Sequence, residues 1–167
     1  AACLSAGMGM GAVKAGLESY RGVKRRFEYL IDEAGLVFID DYAHHPEEID
    51  ACIATARALY PGKKITGVFQ PHLYSRTRDL ADGFARSLEA LDELILLEIY
   101  PAREEPLPGV DAGMLLDRIG ELPKSICKKE NLPAEIASRR PEVLITMGAG
   151  DIDQLTGSIR DKLLERK

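Results

Sequence analysis

Leu36-Val37-Phe38-Ile39-Asp40-Asp41-Tyr42-Ala43-His44-His45-Pro46-Glu47-Glu48-Ile49 is the stretch on which the fold turns. Its four leading apolar residues read as a short buried strand. Pro46 suits the first turn of a helix, and Glu47 and Glu48 behind it complement the positive end of the helix dipole. From there Ile49, Cys52, Ala56 and Leu59 form an apolar stripe at helical spacing, which Pro61-Gly62 stops. Strand, polar loop and helix in immediate succession make the repeating unit of an α/β fold.

Upstream, Phe27 to Ile31 is a second apolar-rich segment, separated from Leu36 by Asp32-Glu33-Ala34-Gly35. Such a spacing, closed by glycine, predicts a hairpin. Downstream the strand-then-helix rhythm repeats. Ile65 to Phe69 reads as a buried strand, followed by a polar loop from Gln70 to Thr77 and a helix with Leu80, Phe84, Leu88 and Leu91 on one face. Glu93 to Ile99 holds Leu94-Ile95-Leu96-Leu97, the pattern of a strand covered on both sides. A proline-rich loop from Pro101 to Gly109 leads to a short helix over Ala112–Ile119, a minor strand over Ser125–Lys128 and a helical turn or two over Pro133–Ser138. Val143 to Met147 is the last strand, and Asp151 is expected to cap a final helix with Ile152, Leu155, Ile159 and Leu163 inward.

This order predicts a mainly parallel α/β sheet with right-handed crossovers and one antiparallel strand from the initial hairpin. Ligands of such sheets sit at the carboxyl ends of the strands, which points to the loops at 40–46, 70–78, 99–109 and 147–151. Residues 1–20 differ in character, being small, apolar and glycine-rich. Ala1 to Ala6 suit a helix end, and Ala12 to Tyr20 suit a short helix. A domain boundary is expected near Tyr20 to Gly22, with Ala1 reading as an internal cut rather than a natural start.

The 167 residues allow one compact domain, with 46% hydrophobic and 29% charged residues and a net charge of −5. Nucleic acid and anionic membrane both demand clustered positive charge, so neither is an expected partner. No apolar run approaches the ~18 residues of a membrane span. Cys3, Cys52 and Cys127 are odd in number and irregular in spacing, which argues for three small core hydrophobes in a reducing cytoplasm.

Two loops carry the candidate chemistry. In Asp40-Asp41-Tyr42-Ala43-His44-His45-Pro46, two adjacent carboxylates and two histidines suit a divalent cation, a ribose hydroxyl or an amino-acid zwitterion, or else only cap the following helix. In Gln70-Pro71-His72-Leu73-Tyr74-Ser75-Arg76-Thr77-Arg78-Asp79, the planar fork of Arg76 suits a carboxylate or phosphate, while His72 could exchange a proton or orient a neighbour. Thr146-Met147-Gly148-Ala149-Gly150-Asp151 resembles a phosphate cradle but lacks the Lys-Ser or Lys-Thr of a P-loop. Gly7-Met8-Gly9-Met10-Gly11-Ala12 fits a dinucleotide fingerprint only formally, because no strand precedes it. Arg21 to Arg26 reads as a solvated interdomain segment.

Together these three motifs, with Gly22-Val23-Lys24-Arg25-Arg26-Phe27-Glu28 and Tyr100-Pro101-Ala102-Arg103-Glu104-Glu105-Pro106, resemble the C-terminal third of UDP-N-acetylmuramate–L-alanine ligases of the Mur ligase family. The resemblance spans almost the whole chain in order. It implies a three-layer Rossmann-like (dihydrofolate-reductase-like) domain at residues 21–167, preceded at 1–20 by the tail of a central ATPase domain. It also implies ATP-driven amide formation in peptidoglycan synthesis through an acyl phosphate, with ATP and Mg2+ bound mainly by the central domain and no metal ligand here. Tyr42, His44, His72 and Arg76 match positions around L-alanine. Arg76 would pair with the alanine carboxylate, and His44 or His72 would take the ammonium proton. Asp41 matches a position near the ATP ribose. Leu73 departs from the pattern, standing where some members carry arginine. Three readings compete with this one: a ligase that recycles a preformed tripeptide, a non-catalytic binding module of the same fold, and a His/Asp metal hydrolase.

Overall fold

The computed structural model describes residues 2–20 and 22–165, so Ala1, the last two residues and Arg21, the first of the basic run, lie outside the described residues. Helices α1 (Ala2–Ser5) and α2 (Met10–Ser19) come first and bury none of their side chains. Strands β1 (Glu28–Glu33) and β2 (Leu36–Asp41) form the antiparallel hairpin. Its turn relies on Gly35 at φ +91°, a backbone that residues with a Cβ rarely adopt. Then follow α3 (Pro46–Leu59), β3 (Ile65–Phe69), α4 (Tyr74–Asp79), α5 (Ala81–Leu88), β4 (Glu93–Leu96), α6 (Ala112–Leu116), β5 (Lys124–Ile126), α7 (Leu132–Arg139), β6 (Val143–Met147) and α8 (Thr156–Leu164). Single 3-10 turns precede α7 and α8.

The six strands lie in the order β1-β2-β6-β3-β4-β5, and every neighbouring pair but β1–β2 is parallel. The last strand in sequence is thus inserted at the centre, between β2 and β3. Alternation along the strands builds two cores. Val37, Ile39, Leu94, Leu96, Val143 and Ile145 pack on one face with Ile49, Ile53, Phe84, Leu88 and Leu115 from α3, α5 and α6. Phe38, Val68, Ile95 and Leu144 pack on the other with Leu132, Ile136, Ile159 and Leu163 from α7 and α8. Helices, sheet and helices make three layers, as expected. Each such fully buried large side chain contributes roughly 1.5–3 kcal/mol, and these two cores hold the loop-bearing strand ends in register.

Several expectations need correction. Leu59 is 53% exposed. Ten residues after Ile49 it has rotated about 80° off the buried face, and Ile53 takes its place in the core. The loop after β3 contains helix α4, and β4 ends at Leu96. Leu91 is buried, but it lies beyond the end of α5. Asp151 does not cap α8. It opens a 3-10 turn, and its carboxylate accepts from Gln70 Nε2 at 2.8 Å and pairs with Lys129 at 2.5 Å. Cys52 and Cys127 are buried but Cys3 is exposed, because α1 has no core to join. The formal glycine fingerprint at 7–12 spans the α1–α2 turn.

Candidate functional site

Parallel pairing aligns the ends of four strands. Asp41 pairs with Met147, Met147 with Phe69, and Phe69 with Leu96, so the loops leaving β2, β6, β3 and β4 start side by side. Backbone bonds continue the alignment past the strands: Tyr100 N donates to Pro71 O (2.8 Å) and Leu73 N to Tyr100 O (2.9 Å). All four loops singled out in the sequence therefore meet at one sheet edge, as the carboxyl-end rule requires.

The first loop brings Tyr42 and His44 together, with ring centroids 5.1 Å apart at 80°. His44 Nδ1 lies 2.9 Å from the carbonyl of Tyr42 and 3.3 Å from Glu48 Oε2. Both neighbours are acceptors, so Nδ1 carries a proton whichever charge state the ring holds, and Nε2 is the nitrogen at which the ring exchanges its second proton. Glu48 also accepts from His44 N at 2.9 Å. Partial burial raises the Glu48 pKa, but the bond from His44 N and the charge of His44 outweigh it and hold the carboxyl below its ordinary value. The spacing of His44 and Glu48, one turn apart at a helix start, was a readable signal for this partnership. His45 lies apart, lining a cleft between α3 and α5 with Gly83 and Arg86.

From the second loop, His72 faces His44 with ring centroids 6.4 Å apart, and it stacks on Tyr100 at 5.7 Å and 17°. Arg76 Nη1 stands 3.5 Å from His72 Nδ1. Since a guanidinium only donates, that nitrogen of His72 is the acceptor and Nε2 bears the hydrogen. Burial, then the charges of Arg76 and His44, push the His72 pKa below its ordinary value. His72 is therefore a neutral ring beside a fixed cation. Leu73, between His72 and α4, has φ +69° and ψ 133°, a strained conformation for a branched residue.

Asp40 and Asp41 point to opposite faces of the sheet, so the two carboxylates do not converge on one cation. Asp40 is buried, accepts from Thr146 Oγ1 at 2.6 Å and pairs with Arg25 Nε at 3.3 Å. Burial raises its pKa despite both partners. Asp41 accepts from Phe27 N (2.7 Å) and Ala43 N (2.8 Å), and it lines a cavity of ≈ 370 Å³ with Arg26, Phe27, Glu48, Cys52 and Thr55. Among the described residues no group of three or more His, Cys, Asp or Glu is placed to hold a metal ion.

Arg25 corrects the reading of the basic run as wholly solvated. Its guanidinium reaches Asp40, donates to the carbonyl of Gly148 and lies 4.9 Å from the Tyr42 ring centroid. Nothing in the spacing of the run distinguished Arg25 from Arg26, which is exposed. The glycine turn of 148–150 is thus closed by Arg25 and Gln70, whose side-chain oxygen accepts from Ile152 N at 2.9 Å. A Cβ on Gly148 would stand 2.6 Å from the Gln70 carbonyl oxygen. Close packing accounts for this glycine.

Site and topology together define the class: the chain belongs to the Mur ligase C-terminal domain family, whose model, described as "Mur ligase, glutamate ligase domain", matches residues 25–150. Within that class it is similar to UDP-N-acetylmuramate–L-alanine ligases. The ligase of Parabacteroides distasonis is 47% identical over 92% of this chain and 33% of that protein, and that of Phocaeicola vulgatus 52% identical over 88% and 32%. The crystal structure of the UDP-N-acetylmuramate–alanine ligase of Thermotoga maritima superposes with a TM-score of 0.79 at 27% identity, covering 99% of this chain and 36% of that one. The chain spans about a third of the length of the curated relatives it matches. A murein peptide ligase of Psychrobacter arcticus shares the fold, with a TM-score of 0.67 at 18% identity, over 89% of this chain and 32% of that one.

Proposed function

We propose that this chain is the amino-acid-binding domain of an ATP-dependent ligase that joins L-alanine to UDP-N-acetylmuramate in peptidoglycan synthesis. The carrying observation is the meeting of His44, His72 and Arg76 from two separate loops at one sheet edge. Names shared by relatives at 47–52% identity support the choice of alanine.

In this reading Arg76 pairs with the alanine carboxylate, and Tyr42 closes the side of the pocket opposite His72. The amino group must lose a proton before it can attack the activated muramoyl carbonyl. His44 is the acceptor, because Tyr42 O and Glu48 hold its Nδ1 proton and leave the accepting role to Nε2. His72, kept neutral by burial and by Arg76, orients the amino acid through its Nε2 hydrogen. Asp41 keeps lone pairs beyond its two backbone bonds and offers them to the ATP ribose. ATP and Mg2+, held mainly by the other two-thirds of the parent protein, supply the activation of the carboxylate. Residues 1–20 are assigned to the central domain and 21–167 to the amino-acid-binding domain. The setting is cytoplasmic, where both nucleotide substrates are available. No helix among the described residues is long and apolar enough to cross a membrane.

The test is phosphate release by the parent protein with ATP, Mg2+ and UDP-N-acetylmuramate, offering L-alanine and the cell-wall tripeptide as separate acceptors. Release is expected with L-alanine, and Arg76→Ala should raise the KM for L-alanine about tenfold to a hundredfold while leaving that for ATP within about twofold. Release with tripeptide alone would move the chain to the recycling ligases. Release with neither would end the ligase reading.

A further inference from the structure

One loop touches the candidate site without contributing a residue to the chemistry above. Tyr100 begins it as the parallel partner of His72. Four residues on, the chain turns back on itself: Ala102 takes a left-handed backbone (φ +51°) and Glu104 N donates to Pro101 O at 2.9 Å. That turn delivers the Glu104 carboxylate to Ser75 in the first turn of α4, where it accepts from Ser75 N at 2.9 Å and from Ser75 Oγ at 2.5 Å. Helix α4 has no side-chain cap of its own, since its N-cap residue is Leu73. Glu104 supplies the missing acceptor from 29 residues away.

Leu73 explains why such a cap is needed. A branched residue at φ +69° persists only where its surroundings over-determine it. Its own amide is fixed to Tyr100 O on one side, and Ser75, two residues on, is fixed to Glu104 on the other. Both fixings come from the 100–104 loop. His72 and Arg76, 3.5 Å apart, flank these two fixed positions, one residue outside each.

We infer that Glu104 is a positioning residue: together with Tyr100 it braces Leu73 in its strained conformation and so sets the distance between His72 and Arg76. The role rests on the ligase reading only for its kinetic consequence. The ordinary alternative is a loop tie that serves stability alone. The two differ in what they do to substrate: a brace changes the grip on the amino acid, whereas a loop tie changes stability and leaves every KM alike.

The test uses the full-length parent protein with Glu104→Ala, Glu104→Gln and Ser75→Ala. Two readouts are compared with wild type: the separate KM values for L-alanine and ATP, and hydrogen exchange of peptides spanning residues 70–80. Glu104→Ala is expected to raise the KM for L-alanine on the order of tenfold with the KM for ATP within about twofold, and to speed exchange in the 70–80 peptides. Glu104→Gln keeps an oxygen that accepts from Ser75 N and should recover most of the loss. Ser75→Ala, which keeps the backbone bond, should fall between, and it carries the test if Glu104→Ala does not fold. Unchanged exchange at 70–80 would overturn the brace, and so would faster exchange with both KM values unmoved or moved equally. Were wild type inert toward L-alanine, the ligase reading would fall, and exchange at 70–80 would still decide whether Glu104 holds α4.

Discussion

His72 shows how far one side chain's environment reaches. An unfolded chain holds its histidines near the ordinary pKa of about 6.5, whereas in the fold burial and the Arg76 charge keep His72 lower. Below that ordinary value the unfolded state takes up a proton that the folded state refuses, so stability falls as pH drops from about 6.5 toward the folded pKa. Above pH 6.5 the effect is absent. The expected outcome is that His72→Gln flattens the fall in thermal midpoint between pH 7 and pH 5 relative to wild type, checked by thermal melts across that range. An equal slope in both proteins would mean that the ring is as free as in the unfolded chain. His44 follows a different logic, since its ring is directed by two acceptors. Both histidines could be picked out as residues, but which one can accept a proton depends on neighbours that only folding supplies.

At the scale of elements, the strand ends and the turns after them decide the site. β6 ends at Met147, and the chain must then pass within van der Waals reach of Gln70 in the loop after β3. Gly148 allows this at φ +144°. Gly148→Ala is expected to lower stability by about 2 to 3 kcal/mol through backbone strain alone, with the clash against the Gln70 carbonyl adding to it. Gly157→Ala is the control. Gly157 lies in α8 with nothing within 4 Å of an added Cβ, and the change should stabilise by roughly 0.5–1 kcal/mol. Denaturant melts of the two variants measure both. Equal effects would show that the 148–150 turn is less tightly packed than its contacts with Gln70 and Arg25 require. Sequence signalled this glycine only as part of a weak phosphate-cradle pattern. The approach of Gln70 that demands it joins segments nearly eighty residues apart.

For the whole molecule, the contrast between residues 2–20 and the rest is the largest feature. Leu4, Met8, Met10, Leu17 and Tyr20 are exposed, and α1 and α2 bury nothing. The two cores draw their residues from Phe27 onward. Deleting residues 1–20 is therefore expected to leave the thermal midpoint within about 2 °C. A larger fall would place the domain boundary upstream of Tyr20 and would count against assigning 1–20 to a neighbouring domain.

The sequence by itself determined the alternation of strands and helices, the one antiparallel hairpin and the four loops at the carboxyl edge. These are local signals: apolar runs, a proline at a helix start, turn glycines, and polar residues between a strand and a helix. Tertiary structure alone decided the strand order, with the last strand at the centre, because pairing between distant segments leaves no periodicity in either. It also decided that Asp40 is a buried structural acid held by Arg25, that Leu59 and Cys3 face outward, that Asp151 ties to Gln70 and Lys129, and that Glu104 caps a helix in another segment. Each of these is a contact across many residues of chain, and its energy comes from burial and charge pairing that exist only once the sheet has brought the two ends together.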